Sequence, residues 1–171
     1  MKSTFSILII SFGLIFAACK NEKKEITPLK QTKAQTVIPK QSLNDFMIGK
    51  WETQYIKIEY KTYQKTDSSH VFEDDFSKPN SGRAQSKYVN DGTFNAWFKQ
   101  PDSSKVGETN GNWKTRGSDS LYIDYQYLGK QVQVWYIIEQ KGNQFKGTVT
   151  YDWDNDGEND DTLIMKSKRI Q

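Results

Sequence analysis

The chain has a single cysteine, Cys19, and a single histidine, His70. One cysteine excludes an intramolecular disulfide. One histidine cannot build a zinc site without carboxylates, and this one lies in an irregular stretch where a lone histidine reads as solvent-exposed. Nucleophilic catalysis needs a serine or cysteine beside a base that a third group orients. Neither a G-x-S-x-G elbow nor a phosphate-cradling glycine loop occurs. The acidic run Glu73-Asp74-Asp75 sits in the same irregular stretch, where solvation is the default, and nothing marks a glycosidase pair. These absences lead us to expect a protein that is not an enzyme. Long hydrophobic runs are also missing. The apolar segment from Phe5 to Phe16 is too short for a bilayer core, which needs about 20 residues. No sustained period near 3.6 signals a long helix.

What is present begins with "MKSTFSILIISFGLIFAAC". Lys2, an apolar stretch, and the small residues Ala17 and Ala18 before Cys19 form an export signal over residues 1–18. "FAAC" resembles the lipobox of bacterial lipoproteins, of the Bacteroidetes outer-membrane type. That resemblance implies cleavage before Cys19, acylation of Cys19 (palmitate among the chains) and anchorage in the outer membrane. Lys20 is a family-level hint against inner-membrane retention. The alternative is an ordinary signal peptide with a chance cysteine. Residues 19–42 read as a flexible tether. Over residues 20–42 there is no aromatic residue, and six lysines stand against two glutamates, a net +4. Residues 43–171 hold 17 basic and 19 acidic residues, a net −2. A basic tether beside a lipid anchor suits an anionic membrane surface. With no basic face apparent in the remainder, nucleic acid is not an expected partner.

Residues 43–171 read as one domain, expected to be monomeric. Apolar residues alternate with period 2 between turn signals. Leu121, Ile123 and Tyr125 share one face, as do Val132, Val134 and Tyr136, and Phe94 with Phe98. Short glycine-containing turns at 90–92, 117–119, 129–130 and 141–143 imply antiparallel neighbours. Strands are expected near 50–61, 83–89, 93–99, 106–116, 119–128, 131–139, 144–152 and 161–169, with a short ninth around 70–76. The fold class is all-β, an antiparallel up-and-down barrel of about eight strands, since closure removes exposed edges. A β-sandwich is the alternative.

"FMIGKWETQYI" at 46–56 and "MKSKRI" at the last strand resemble the opening and closing segments of lipocalins and of lipocalin-like domains in bacterial lipoproteins. The resemblance spans residues 43–171 in strand count and order. It implies that Trp51 plugs one end of the barrel and that the basic residue Arg169 lies over it. Gly111-Asn112-Trp113 repeats the glycine–tryptophan spacing in mid-chain.

Two functions follow. In the first, the barrel binds a small apolar or amphipathic ligand through Phe94, Phe98, Leu121, Ile123, Tyr125, Val132, Val134 and Tyr136. In the second, those residues fill the barrel, and the outward aromatics Trp97, Tyr122 and Trp135 contact a protein or glycan partner. Finally, "DWDNDGENDD" at 152–161 places acidic residues at alternate positions before a glycine. This resembles calcium loops. Asp152, Asp154, Asp156, the Glu158 carbonyl and Asp160 are the candidate ligands of a possible Ca²⁺. The alternative is a solvated hairpin tip with no ion.

Overall fold

The structure, a computed structural model, describes residues 41–171. The signal segment, Cys19 and the tether up to residue 40 lie outside the described residues. Ser42, expected in the tether, is instead the N-cap of a short helix, α1 (Leu43–Met47). Its hydroxyl oxygen accepts from the Asp45 N–H at 3.1 Å and donates to the Asp45 carboxylate at 2.7 Å. The cap satisfies a donor the helix start would otherwise leave free. Leu43, Phe46 and Met47 are all buried. Among the described residues no helix is long and apolar enough to cross a membrane.

Nine strands follow: β1 (Gly49–Tyr60), β2 (His70–Asp74), β3 (Arg83–Tyr88), β4 (Thr93–Lys99), β5 (Lys105–Arg116), β6 (Ser120–Tyr127), β7 (Lys130–Lys141), β8 (Gln144–Tyr151) and β9 (Asp161–Ile170). All pairings are antiparallel. From β3 to β9 each strand pairs with the next, and β1 pairs with both β3 and β9. Eight strands therefore close an up-and-down barrel. β2 is additional and pairs only with the second half of β1. Every expected strand is present, with ends displaced by a few residues at most.

Turn chemistry sets the register. Between β3 and β4 the Asp91 carboxylate accepts from the Thr93 N–H at 2.8 Å, a side-chain mimic of a backbone turn. Within β1, pairing to β9 slips between Thr53 and Tyr55. The bulge switches which parity faces inward. Trp51 lies in the core, and Ile56 and Ile58, which strict alternation would place on the other face, pack against it partly buried.

The inside is one apolar cluster running from Leu43, Phe46 and Met47 at one end to Val132 and Leu163 toward the other. Helix α1 and Trp51 cover the first end. The other is bordered by the β6–β7 turn, the loop joining β1 to β2 and the loop joining β8 to β9.

Candidate functional site

Of the eight expected interior residues, Phe94, Leu121, Ile123, Val132, Val134 and Tyr136 are buried in the common cluster. Tyr125 packs against it, edge-on to Phe94 with ring centroids 5.6 Å apart. Phe98 departs from the expectation. It is half-buried at the barrel rim, where its ring covers Gly82 so closely that a Cβ there could not fit. Burial pushes the phenols of Tyr88, Tyr125 and Tyr136 well above the ordinary tyrosine range. A hollow of about 40 Å³ at the open end, between Tyr127, Val132, Tyr151 and Trp153, is small beside a ligand.

At the opposite end, the Arg169 guanidinium lies 4.3 Å above the Trp51 ring. The two residues are cross-strand partners on β1 and β9. Arg169 also donates to the carbonyls of Ile48 and Phe46, at the end of α1. Trp51 Nε1 donates to the Met47 carbonyl at 2.8 Å. Gly49 has a φ of +130°, and a Cβ there would sit 2.5 Å from Arg169 Nη1. This explains why glycine precedes the tryptophan at this spacing. The second such pair behaves similarly: Trp113 is buried, edge-on to Tyr88, and its Nε1 donates to the Val89 carbonyl at 2.8 Å. These groups seal that end of the barrel.

A hollow of about 560 Å³ lies on the outer wall instead. Outward positions of adjacent strands form it: Lys50 of β1, Gln85 and Lys87 of β3, Trp97 and Lys99 of β4, and Lys105 of β5. The cross-strand pairs Lys50–Lys87, Gln85–Trp97 and Lys99–Lys105 place them side by side. Four lysines face one carboxylate side chain, Glu108, which pairs with Lys105 at 3.3 Å. Trp97 forms part of the lining. Its Nε1 donates to Gln85 Oε1 at 3.0 Å, Gln85 in turn donates to Glu52 at 2.7 Å, and Lys105 Nζ lies 4.2 Å above its ring.

The wall bends here for a local reason. Between the pairs Ala96–Thr109 and Phe98–Val106, one residue of β4 opposes two of β5. The first of those two, Gly107, has a φ of +60°. A bulge with a left-handed glycine adds twist and curls the strand. Sequence reading found no basic face because these lysines come from four strands and join only through pairing register. Their alternation with inward residues was the available signal.

The other outward aromatics sit apart from Trp97. Tyr122 and Trp135 are cross-strand partners with ring centroids 5.1 Å apart, and Arg116 lies 4.4 Å over Trp135. His70 is exposed, stacks on Tyr60 and packs at a tilt against Tyr63. The Asp74 and Asp75 carboxylates accept from the N–H groups of Phe76 and Ser77, two residues on, and so brace a turn.

In the acidic loop, Asp152 and Asp154 converge as expected, but the third converging carboxylate is Asp161. Asp156, Glu158 and Asp160 lie outside that triad. The cause is strand parity. Asp161 opens β9 on the inward-facing side, in step with Leu163 and Ser167, and is buried beneath the loop. Burial pushes its carboxyl above the ordinary carboxylate range. The Asp156 carboxylate instead accepts from the Glu158 N–H and the Thr62 hydroxyl.

No family model and no curated protein matches this chain.

Proposed function

We propose that this chain is a non-enzymatic binding protein of the bacterial cell envelope, tethered through acylated Cys19, whose barrel is a scaffold for an anionic ligand held on its outer wall. The observation that carries the reading is the hollow lined by Lys50, Lys87, Lys99, Lys105 and Trp97. Its volume suits a small molecule or a short stretch of glycan. Four ammonium groups on flexible stems favour distributed oxyanions over a single one. Trp97, fixed by Gln85, gives a flat apolar surface beside them. Carboxylated, sulfated and phosphorylated ligands share this chemistry.

Calorimetry of the protein against uronic-acid oligosaccharides, their sulfated and phosphorylated counterparts and a neutral oligosaccharide separates these sources. We expect acidic ligands to bind, neutral ones not to, and affinity to fall as salt rises. Lys87→Glu combined with Lys99→Glu should weaken binding at least tenfold. Equal binding of neutral and acidic sugars, or indifference to both reversals, would refute the reading. For the tether, the intact mass of the native protein should include acyl chains on Cys19, and Cys19→Ser should free the protein from the membrane fraction.

The second reading, an apolar or amphipathic ligand inside the barrel, is supported by the closed eight-strand wall, a size that can either be filled or hold one ligand. Since side chains occupy the inside, such a ligand would have to displace Tyr125 or Trp153 at the open end. A shift in tryptophan fluorescence with fatty acids or isoprenoids, unaffected by the lysine reversals, would favour it.

A further inference from the structure

The carboxylates of Asp152, Asp154 and Asp161 meet at the open end of the barrel, with one oxygen of each within 4.8 Å of the others. Asp161 is only 1% exposed. Its Oδ2 accepts from the N–H groups of Trp153 at 2.7 Å and Asp154 at 3.2 Å. Its Oδ1 is shielded from solvent and accepts from no group among the described residues. A buried carboxylate with an idle oxygen is costly, and two more carboxylates beside it add repulsion. The Oδ1 of Asp160 is likewise shielded and has no partner among the described residues. Among the described residues, no lysine or arginine forms an ion pair with this loop. Among the described residues nothing supplies a compensating positive charge, and a bound cation would.

We infer that Asp152, Asp154 and Asp161 form the core of a calcium site. The donor set is all oxygen, with neither imidazole nor thiolate, which selects a hard cation. Calcium binds oxygens at about 2.3–2.6 Å, so two of its ligands can stand up to roughly 5 Å apart. Magnesium, at about 2.0–2.1 Å, reaches only roughly 4.2 Å and demands stricter geometry. The carboxylates are already held in place. The Asp156 N–H donates to Asp152 Oδ1 at 3.0 Å and to Asp154 Oδ1 at 3.1 Å, and the Gly157 N–H donates to Asp152 Oδ2 at 3.2 Å. Such outer contacts orient ligands before an ion arrives.

The ion would join two loops. The Gln64 N–H donates to Asp154 Oδ2 at 2.6 Å, and the Thr62 hydroxyl donates to Asp156 Oδ2 at 3.3 Å. Calcium thus ties the chain leaving β1 to the β8–β9 connection. This is independent of what the outer hollow binds.

The test uses the full chain, stripped with chelator, and calcium, magnesium and terbium as probes. Calcium should bind with a Kd on the order of 10⁻⁴–10⁻³ M. At 10 mM it should raise Tm by about 4 °C or more. Terbium should luminesce on excitation of the nearby Trp153. Asp161→Asn keeps an acceptor for the two N–H groups but removes the charge. Its Tm in chelator should equal or exceed that of the parent, and calcium should no longer raise it. Asp154→Asn should lose the response too, and decides the matter if Asp161→Asn does not fold. Identical parent Tm values in calcium and chelator, or a parental calcium response in the folded variants, would overturn the site. A magnesium response equal to calcium's would overturn the choice of ion.

Discussion

The Arg169 guanidinium stacks 4.3 Å above Trp51 while donating to two carbonyls of the segment that closes the barrel, those of Phe46 and Ile48. One side chain thus ties β9, β1 and the end of α1. The stack contributes ~0.5–2 kcal/mol, and each hydrogen bond from a charged donor about 1.5–3 kcal/mol. Arg169→Ala should therefore cost about 3 kcal/mol or more in denaturant unfolding. Arg169→Lys should recover less than half, because an ammonium cannot stack and fork at once. Gly49→Ala should be destabilising alone and less so beside Arg169→Ala, with a coupling of about 1 kcal/mol. Additive losses would show that Gly49 and Arg169 are not in contact.

The bulge at Gly107 is predicted to matter through its backbone. A Cβ at this position meets nothing within 4 Å, so the cost of Gly107→Ala is conformational alone. We expect about 1–2 kcal/mol from a φ of +60°. Deleting Gly107 removes the extra residue and leaves Val106, Glu108 and Thr109 directly opposite Phe98, Trp97 and Ala96. Lys105 stays outward but the strand loses its curl, so anion binding should weaken as the hollow flattens. A deletion variant with parental affinity would contradict this account of the wall.

Leu121 is 0% exposed within the apolar cluster. Leu121→Ala should destabilise the domain by about 2–5 kcal/mol. The space left is apolar, so a small hydrocarbon should bind the variant and restore part of the lost Tm. A loss below about 1 kcal/mol would mean the interior is already loose, and would strengthen the internal-ligand reading.

Burial raises the phenols of four of the nine tyrosines in the folded state, Tyr60 modestly and Tyr88, Tyr125 and Tyr136 well above the ordinary range. A raised folded pKa means the unfolded chain releases its protons first as pH rises. The stability the last three phenols contribute is complete below pH ~10 and is lost as pH climbs from there through their folded pKa values. Each contributes a slope of up to about 1.4 kcal/mol per pH unit, so the three together give roughly 4. Ultraviolet titration should show these three ionising only with unfolding. Gradual, reversible ionisation of all nine near pH 10 would contradict their burial.

Strand count, strand order and most of the inward face were readable because a barrel strand has one wet and one dry side, and period 2 records that locally. Leu121, Ile123, Val132, Val134 and Tyr136 lie where alternation puts them. Arg169 over Trp51 was also within reach, through a resemblance at the two ends of the domain. The rest depended on events that no local window contains. The bulges at Thr53–Tyr55 and at Gly107 each change parity or curvature by one residue, and the residues that define them are fixed only by the opposing strand. The lysine hollow exists because successive antiparallel pairings set β1, β3, β4 and β5 side by side, although Lys50 and Lys105 are far apart in sequence. In the acidic loop, composition announced converging carboxylates, yet the choice of Asp161 over Asp160 came from which side of β9 faces the barrel. Sequence supplies the donors and the alternation. Pairing register, a long-range property set by packing, decides which of them meet.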